Sequence, residues 1–536
     1  MSSTFFPSPP SILSFTENAT TISTLRQSHA HMLKTGLIHD PFSAGCLISS
    51  ITSLSPPSTH TLSYAHSIFT HLQNPNSYSY NTLIRAYATS PTPETSITMF
   101  VDMLFDEIVE PDKYTFTFVL KACSVVKSVS VGKQIHGHVI KLGVDDNVYI
   151  CNTLIHMYAK GGFFDIARNL LDKMPERDVI SWNAILSAYV DNGMMDLVCR
   201  VFDEMPERNV ESGNFMISGY VKDGLVVEAR RVFDGMPVKD VVSWNAIVTG
   251  YAHDGQFDEV FSLFEGMRKV GMVPDDYTLV NVLSSCARVS GLSQGEWVHG
   301  YIDRNGIKVG GFLATGIVDM YSKCGCIAKA LEVFHETLDK NISTWNSMIT
   351  GLGLHGYGER AIETFYDLLA DGFKPNEVTF VSVLSACSRC GLLDEGYRMF
   401  ELMVHGYGIK PTVQHYGCMV DLLGRFGLLD EAEELAKQVL FDESQVVWES
   451  LLGACRNHND VEMAERVTRK LLELDPHDSA GYVQLSNVRA SEGRFSDAIE
   501  MRRKMKAQGV SKDPGCSMIE VNGVVHEFLA GEGMVL

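Results

Sequence analysis

Apolar residues in the segment 241–275 fall into two stripes. Trp244, Ile247, Val248 and Tyr251 stand three and four residues apart and stop near Gly255; Phe257, Val260, Phe261, Phe264 and Met267 form a second stripe that Gly271 and Pro274 end. Spacings of three and four mark the buried face of an α-helix, while Gly and Pro mark its ends, so this segment predicts a helical hairpin. The preceding chain repeats it as VISWNAILSAYVDNGMMDLVCRVFDEMPERN from Val179 and VESGNFMISGYVKDGLVVEARRVFDGMPVKD from Val210. A lone hairpin of this kind leaves an apolar face uncovered, and side-by-side stacking buries it in a continuous core.

The same pattern divides the chain into units 41–76, 77–112, 113–147, 148–178, 179–209, 210–240, 241–275, 276–310, 311–341, 342–376, 377–412 and 413–444, after a partial unit at 21–40. Trp182, Trp244, Trp345 and Trp448 share the fourth position and read as a packing ladder, whereas Gly213 takes that place in one unit and predicts looser packing there. His29, His136 and His299 are equivalent too, which favours packing over catalysis, because a catalyst needs one site with converging partners. Beyond residue 444 the pattern continues as two hairpins over 445–512; in 513–536, Asn522 and Gly523 between β-formers predict a small β-hairpin.

Composition narrows the chemistry. A balance of 44 basic against 65 acidic residues gives a net charge of −21, the wrong sign for gripping nucleic acid by bulk electrostatics, so any such contact rests on local residues. No apolar run approaches the roughly 20 residues of a membrane helix. Of the 12 cysteines, Cys123, Cys286, Cys387 and Cys455 fall at the eleventh position of their units and read as small apolar helix residues in a reducing compartment. Residues 1–20 belong to a hydroxyl-rich, acid-poor start that suits an organelle transit segment or an unstructured tail.

The units resemble pentatricopeptide repeats of the PLS subclass of plant organelle proteins. The resemblance is carried by SYNTLIRAY from Ser79, SWNAIVTGY from Ser243, TWNSMITGL from Thr344 and the MPERD, MPERN and MPVKD endings. YGCMVDLLGRFGLLDEAEEL from Tyr416 and PGCSMIEVNGVVHEFLAGEG from Pro514 resemble the last short repeat and the E and truncated E+ regions. It implies an all-α, right-handed superhelical α-solenoid with a PPR array at 41–444, an E region of two TPR-like hairpins at 445–512 and a short E+ segment at 513–536. It also implies single-stranded RNA as ligand, read one base per unit by the fifth and last residues.

The pairs are Asn81 with Asp112, Asn152 with Asp178, Asn183 with Asn209, Asn214 with Asp240, Asn245 with Asp275, Thr315 with Asn341, and Asn346 with Asn376. An Asn amide both donates to and accepts from a base edge, and the terminal Asp or Asn supplies an orienting partner; the competing role for Asn at the fifth position is helix capping or helix packing. By resemblance, Asn with Asp implies uridine, Asn with Asn a pyrimidine, and Thr with Asn adenosine, giving U-n-U-Y-U-U-n-A-Y, 5′ to 3′, for units 77–376. Lys160, Lys222 and Lys323, all at the thirteenth position, are candidate phosphate contacts, or cations favoured by the helix C-terminal dipole.

Relatives with E regions often continue into a zinc deaminase needing H-x-E and C-x-x-C. Here His526 and Glu527 are adjacent, and Cys387 and Cys390 lie within a repeat without a second ligand pair. The expectation is therefore no catalytic residue, no metal, no cofactor and no small-molecule or membrane partner. Instead, the chain is expected to act in a mitochondrion or chloroplast as a site-recognition factor for C-to-U RNA editing, with a DYW-type deaminase and accessory editing factors recruited in trans. Splicing, processing or stabilisation of a transcript is the alternative within RNA binding, and a TPR-like protein scaffold the alternative outside it.

Overall fold

The computed structural model describes residues 16, 19–54, 59–106, 108–439, 445–475, 477, 479–491, 493–510, 516–521 and 524–529. The transit-segment expectation falls almost wholly outside them, as do Asn522 and Gly523. Two compact units divide the chain, Met1–Ile247 and Val248–Leu536. Each is a succession of antiparallel helical hairpins in which first helices lie beside first helices, the arrangement of an all-α solenoid.

In the first unit the hairpins include Ser77–Ala88 with Glu94–Phe105, Lys113–Val126 with Val129–Lys141, Val148–Lys160 with Phe164–Lys173, Val179–Asp191 with Met195–Glu204, and Val210–Lys222 with Val226–Gly235. Helix Val241–His253 spans the division at Ile247 and Val248. The second unit continues with Phe257–Lys269, Asp276–Arg288 with Leu292–Arg304, Gly311–Lys323 with Ile327–Glu336, and Ile342–Leu354 with Gly358–Ala370. Between the paired helices a glycine turns the chain at positive φ, as Gly224 does at 73°, a conformation that a side chain would strain. Unit 377–412 is one residue longer than unit 342–376, and its second helix, Leu393–Glu401, runs on into a π-helical turn, Leu402–Gly406, a common way for a helix to accommodate an extra residue.

The aromatic ladder is a between-hairpin joint. Trp244 meets Phe233 edge-on with centroids 4.8 Å apart, Trp345 meets Phe334 at 4.9 Å, and Tyr80 meets Phe69 at 4.7 Å. The MPVKD ending and its counterpart then place Lys239 over Phe233 and Lys340 over both Phe334 and Trp345, so the basic residue before the terminal Asp or Asn covers the joint. His29, His136 and His299 are packing residues as expected, their Nδ1 atoms hydrogen-bonded to Tyr64, Tyr158 and Tyr321 at 2.7, 3.0 and 3.0 Å. The four eleventh-position cysteines are buried, and burial pushes the Cys387 thiol up to about 12.

At Gly213 the ladder is interrupted, and a cavity of about 510 Å³ opens between Phe202, Arg208, Gly213, Met236 and Pro237. The looser packing expected there is present, although the end of Met236 leans into the missing ring's place, 2.8 Å from where a Cβ would stand. Gly213→Ala should therefore raise the urea midpoint, by about 0.5–1 kcal/mol of stability, because helix propensity improves and the flexible Met236 side chain has space beside it to yield.

After Gln445–His458 with Val461–Leu474 and Ser479–Ser491 with Phe495–Ala507, strands Cys516–Val521 and Val524–Leu529 pair antiparallel, with Cys516 opposite Leu529 and Val521 opposite Val524. This is the small β element that the sequence predicts.

Candidate functional site

The N-terminal turns of the first helices carry the proposed readers, and a local requirement places them. A helix start leaves backbone N–H groups without partners, and Asp or Asn just before it accepts from the third residue onward. The last residue of each unit does this for the next helix. Asp112 accepts from Thr115 N at 2.9 Å, Asp178 from Ser181 at 2.8 Å, Asn209 from Ser212 at 2.9 Å, and Asp240 from Ser243 at 2.8 Å. Asp275, Asn341 and Asn376 cap Thr278, Thr344 and Thr379 at 2.8, 2.9 and 3.0 Å. In several of these caps the third-position hydroxyl reaches back to the cap's own N–H, completing a capping box.

Five of these seven caps also bond the fifth residue of their own unit. Asn81 Nδ2 donates to both carboxylate oxygens of Asp112 at 3.0 Å, Asn152 to Asp178 at 3.3 Å, Asn183 to Asn209 at 3.3 Å, and Asn214 to Asp240 at 3.1 Å. Thr315 Oγ1 donates to Asn341 Oδ1 at 3.4 Å. The third-position hydroxyl joins in as well, Thr115 donating to Asn81 Oδ1 and Ser243 to Asn214 Oδ1, both at 2.6 Å, while the Thr344 and Thr315 hydroxyls lie 3.0 Å apart. The capping role that competes for Asn at the fifth position thus belongs to the last residue, and the fifth residue is the cap's partner. The Oδ1 of Asn346 is buried without a hydrogen-bond partner, as are those of Asn152 and Asn183, while Asn376 accepts from Thr379. Asn245 and Asp275 belong to the two different compact units; Asn245 is buried, and Asp275 caps its own helix.

Charge is held in place within these niches. Burial works against ionisation of Asp178 and Asp240, but hydrogen bonds from Ser181 and Asn152, and from Ser243 and Asn214, outweigh it and hold both carboxyls below their ordinary value. One oxygen of each, Oδ1, takes the cap and amide bonds, which leaves Oδ2 facing outward from that network.

The thirteenth-position lysines are already engaged. Asp191 lies 3.2 Å from Lys160 and 3.7 Å from Lys222, and Lys323 pairs with Asp319 at 2.8 Å. These are half-exposed pairs of the kind worth at most about 1 kcal/mol, which a stronger anion can displace.

Two further features accompany these pairs. The second residue of the first helix is repeatedly an exposed apolar or aromatic side chain, as at Tyr78, Tyr114, Tyr149, Ile180, Val242, Tyr277, Phe312 and Val378, with exposures from 45% at Tyr78 to 67% at Tyr149. Within each compact unit these side chains recur at one register position, an exposed apolar series of the kind that marks interaction surfaces. Exposed residues at a core-like period were the available sequence signal. The other is Thr117 with Asn147: Thr117 Oγ1 bonds the Lys113 carbonyl at 2.7 Å just as Thr315 bonds Gly311, and Asn147 caps Tyr149 and Ile150. Counting from Lys113 would have found this pair.

Among the described residues no group of three or more His, Cys, Asp or Glu is placed to hold a metal ion, and no helix is long and apolar enough to cross a membrane.

Comparison with known proteins bears on the whole chain. The PPR repeat family model matches residues 177–214, 239–288 and 340–389, the PPR repeat model matches 149–179, 214–241, 314–342, 378–405 and 415–440, and the E motif matches 458–520. Pentatricopeptide repeat-containing protein At4g18840 of Arabidopsis thaliana is 56% identical over 505 residues, which is 94% of this chain and 92% of that protein. At2g42920 of the same plant, named as chloroplastic, is 42% identical over 96% of this chain and 86% of its own length. Among solved structures, the maize pentatricopeptide repeat protein PPR10 shares the fold, with a TM-score of 0.58 at 18% identity over 94% of this chain and 84% of that one. PPR10 in complex with an 18-nt psaJ RNA element aligns with a TM-score of 0.56 at 16% identity, over 94% of this chain and 87% of that one. Its repeats, its helical hairpins and its similarity to these plant proteins together make this chain a member of the pentatricopeptide repeat family, carrying an E motif towards its C-terminal end.

Proposed function

We propose that the chain binds single-stranded RNA sequence-specifically, each hairpin reading one base through its fifth and last residues. The observation that carries this is the row of niches in which a buried amide or half-buried hydroxyl and a helix-capping Asp or Asn are held together, beside exposed second-position side chains on which bases stack. The complex of PPR10 with RNA supports the same ligand class. A peptide-binding scaffold has no use for paired amides and carboxylates at these two positions.

Thr117 with Asn147 matches Thr315 with Asn341 in residue type and register, so the second base becomes adenosine and the address U-A-U-Y-U-U-n-A-Y. Lys160, Lys222 and Lys323 would exchange Asp191 and Asp319 for phosphates as the strand enters. In the cell the chain serves a plant organelle as the site-recognition factor for C-to-U editing, the deaminase and accessory factors being recruited in trans through the E motif. The E motif and the chloroplastic names of relatives support this.

Fluorescence anisotropy tests the binding step. An RNA of this address should bind at least a hundredfold tighter than one with every pyrimidine changed to purine, and equal affinity would overturn base reading. Comparing organelle transcripts with and without the protein tests the cellular step: one cytidine should lose conversion downstream of such a sequence with introns still removed. Intact editing with a missing spliced product would favour splicing instead.

A further inference from the structure

We propose that Glu211 determines specificity in the niche of unit 179–209, making it select cytidine over uridine; this rests on the base-reading function above. Asn183 is 4% exposed, and its Nδ2 donates to Asn209 Oδ1 at 3.3 Å and to Glu211 Oε2 at 2.8 Å. Two acceptors on one side fix the amide's orientation, so Oδ1 points the other way, buried and without a partner. In the niches of Asn81 and Asn214 that oxygen takes the hydroxyl of Thr115 or Ser243. Here the Ser212 hydroxyl goes instead to the Asn209 carbonyl at 2.8 Å.

The second difference lies in the residue beside the base. Neighbouring hairpins place Ile180 or Val242 at the second position, whereas this one is followed by Glu211, an exposed carboxylate. Glu211 lines a cavity of about 380 Å³ together with Asn152, Ile180 and Asn183. A carboxylate in a groove meant for a polyanion opposes binding unless a donor on the ligand answers it.

Cytosine supplies that donor. Its exocyclic amine carries two N–H groups, one for Asn183 Oδ1 and one for Glu211, and Glu accepting from this amine is an established mode of base discrimination in nucleic acids. Uracil has a carbonyl at the same place, so its lone pairs would face the Glu211 carboxylate. Its single ring N–H is flanked by carbonyls and cannot answer both acceptors.

The test uses the full chain and labelled RNAs of the address above, with C or U at the fourth base. The wild type should bind the C form about tenfold or more tightly. Glu211→Val should bring the ratio close to one, chiefly by tightening the U form, while a U-to-C change at the third base has the same effect in both proteins. Glu211→Gln should fall between them. Equal binding of C and U by the wild type, or a preference that Glu211→Val leaves intact, overturns the role of Glu211. In that case continued preference for pyrimidine over purine RNA shows base reading surviving, whereas its loss shows that base reading itself has failed.

Discussion

Asp240→Ala should cost the protein both stability and ligand, whereas Asp240→Asn should cost little stability and change mainly what is bound. Asp240 caps helix Val241–His253 and accepts from Asn214, which is 8% exposed. Alanine removes the cap, worth about 1 kcal/mol, and leaves a buried amide with one bond fewer, another 1–2 kcal/mol. Urea denaturation followed by circular dichroism should register a loss of about 2–3 kcal/mol. Affinity for the proposed RNA should fall about tenfold, with lost preference at the fifth base.

Asparagine keeps the acceptor for Ser243, so the cap persists. Because the folded-state pKa of Asp240 is depressed, its ionic contribution is present above the ordinary carboxylate value of about 3.9 and is lost only as pH falls through the lower folded value. Asp240→Asn should accordingly lower stability modestly at neutral pH and flatten the acid limb, the two curves converging as pH falls through the lowered pKa of Asp240. Matching acid limbs in wild type and variant would mean that the network does not hold the charge.

Phe264→Ala should give the largest loss of stability among single core truncations of the second compact unit. Its ring is fully buried, with Trp297 and Tyr301 edge-on at 5.9 Å each, and the Arg268 guanidinium lies 4.8 and 4.6 Å from those two rings. Removing a buried Phe costs about 3–5 kcal/mol, and the two partner rings lose their shared support. A stacked array is coupled mainly through neighbouring hairpins, so the damage should be local. Hydrogen exchange should quicken in Phe257–Lys269 and Leu292–Arg304 and stay slow in Ile342–Leu354. A uniform increase along the chain would contradict nearest-neighbour coupling.

The hairpins were legible because two stripes of period near 3.6, parted by glycine, leave a chain few other ways to bury Trp244 and Phe264. The ladder was legible from Trp182, Trp244 and Trp345 standing in register. What the sequence concealed lies between neighbours in the stack. Lys160 and Lys222 looked unengaged because Asp191, their shared partner, is 31 residues from each, the length of one unit. From sequence Asn81 reads equally as a cap or as something else, and only the placement of Asp112 at the start of the next helix gives the cap to Asp112 and makes Asn81 its hydrogen-bond partner. Tyr78 and Tyr149 are exposed, and a pattern that tracks burial carries no sign of them.

The residue that ends each unit begins the next helix, and this confines what the molecule can become. If bases are read as proposed, any substitution that rewrites a preference at Asp112, Asp178, Asn209 or Asp240 must also start a helix, so Asp, Asn, Ser, Thr and Gly enter cheaply, as Gly310 does before Gly311. The vocabulary open to the array, in evolution or in redesign, is therefore set by helix initiation before any nucleotide is met.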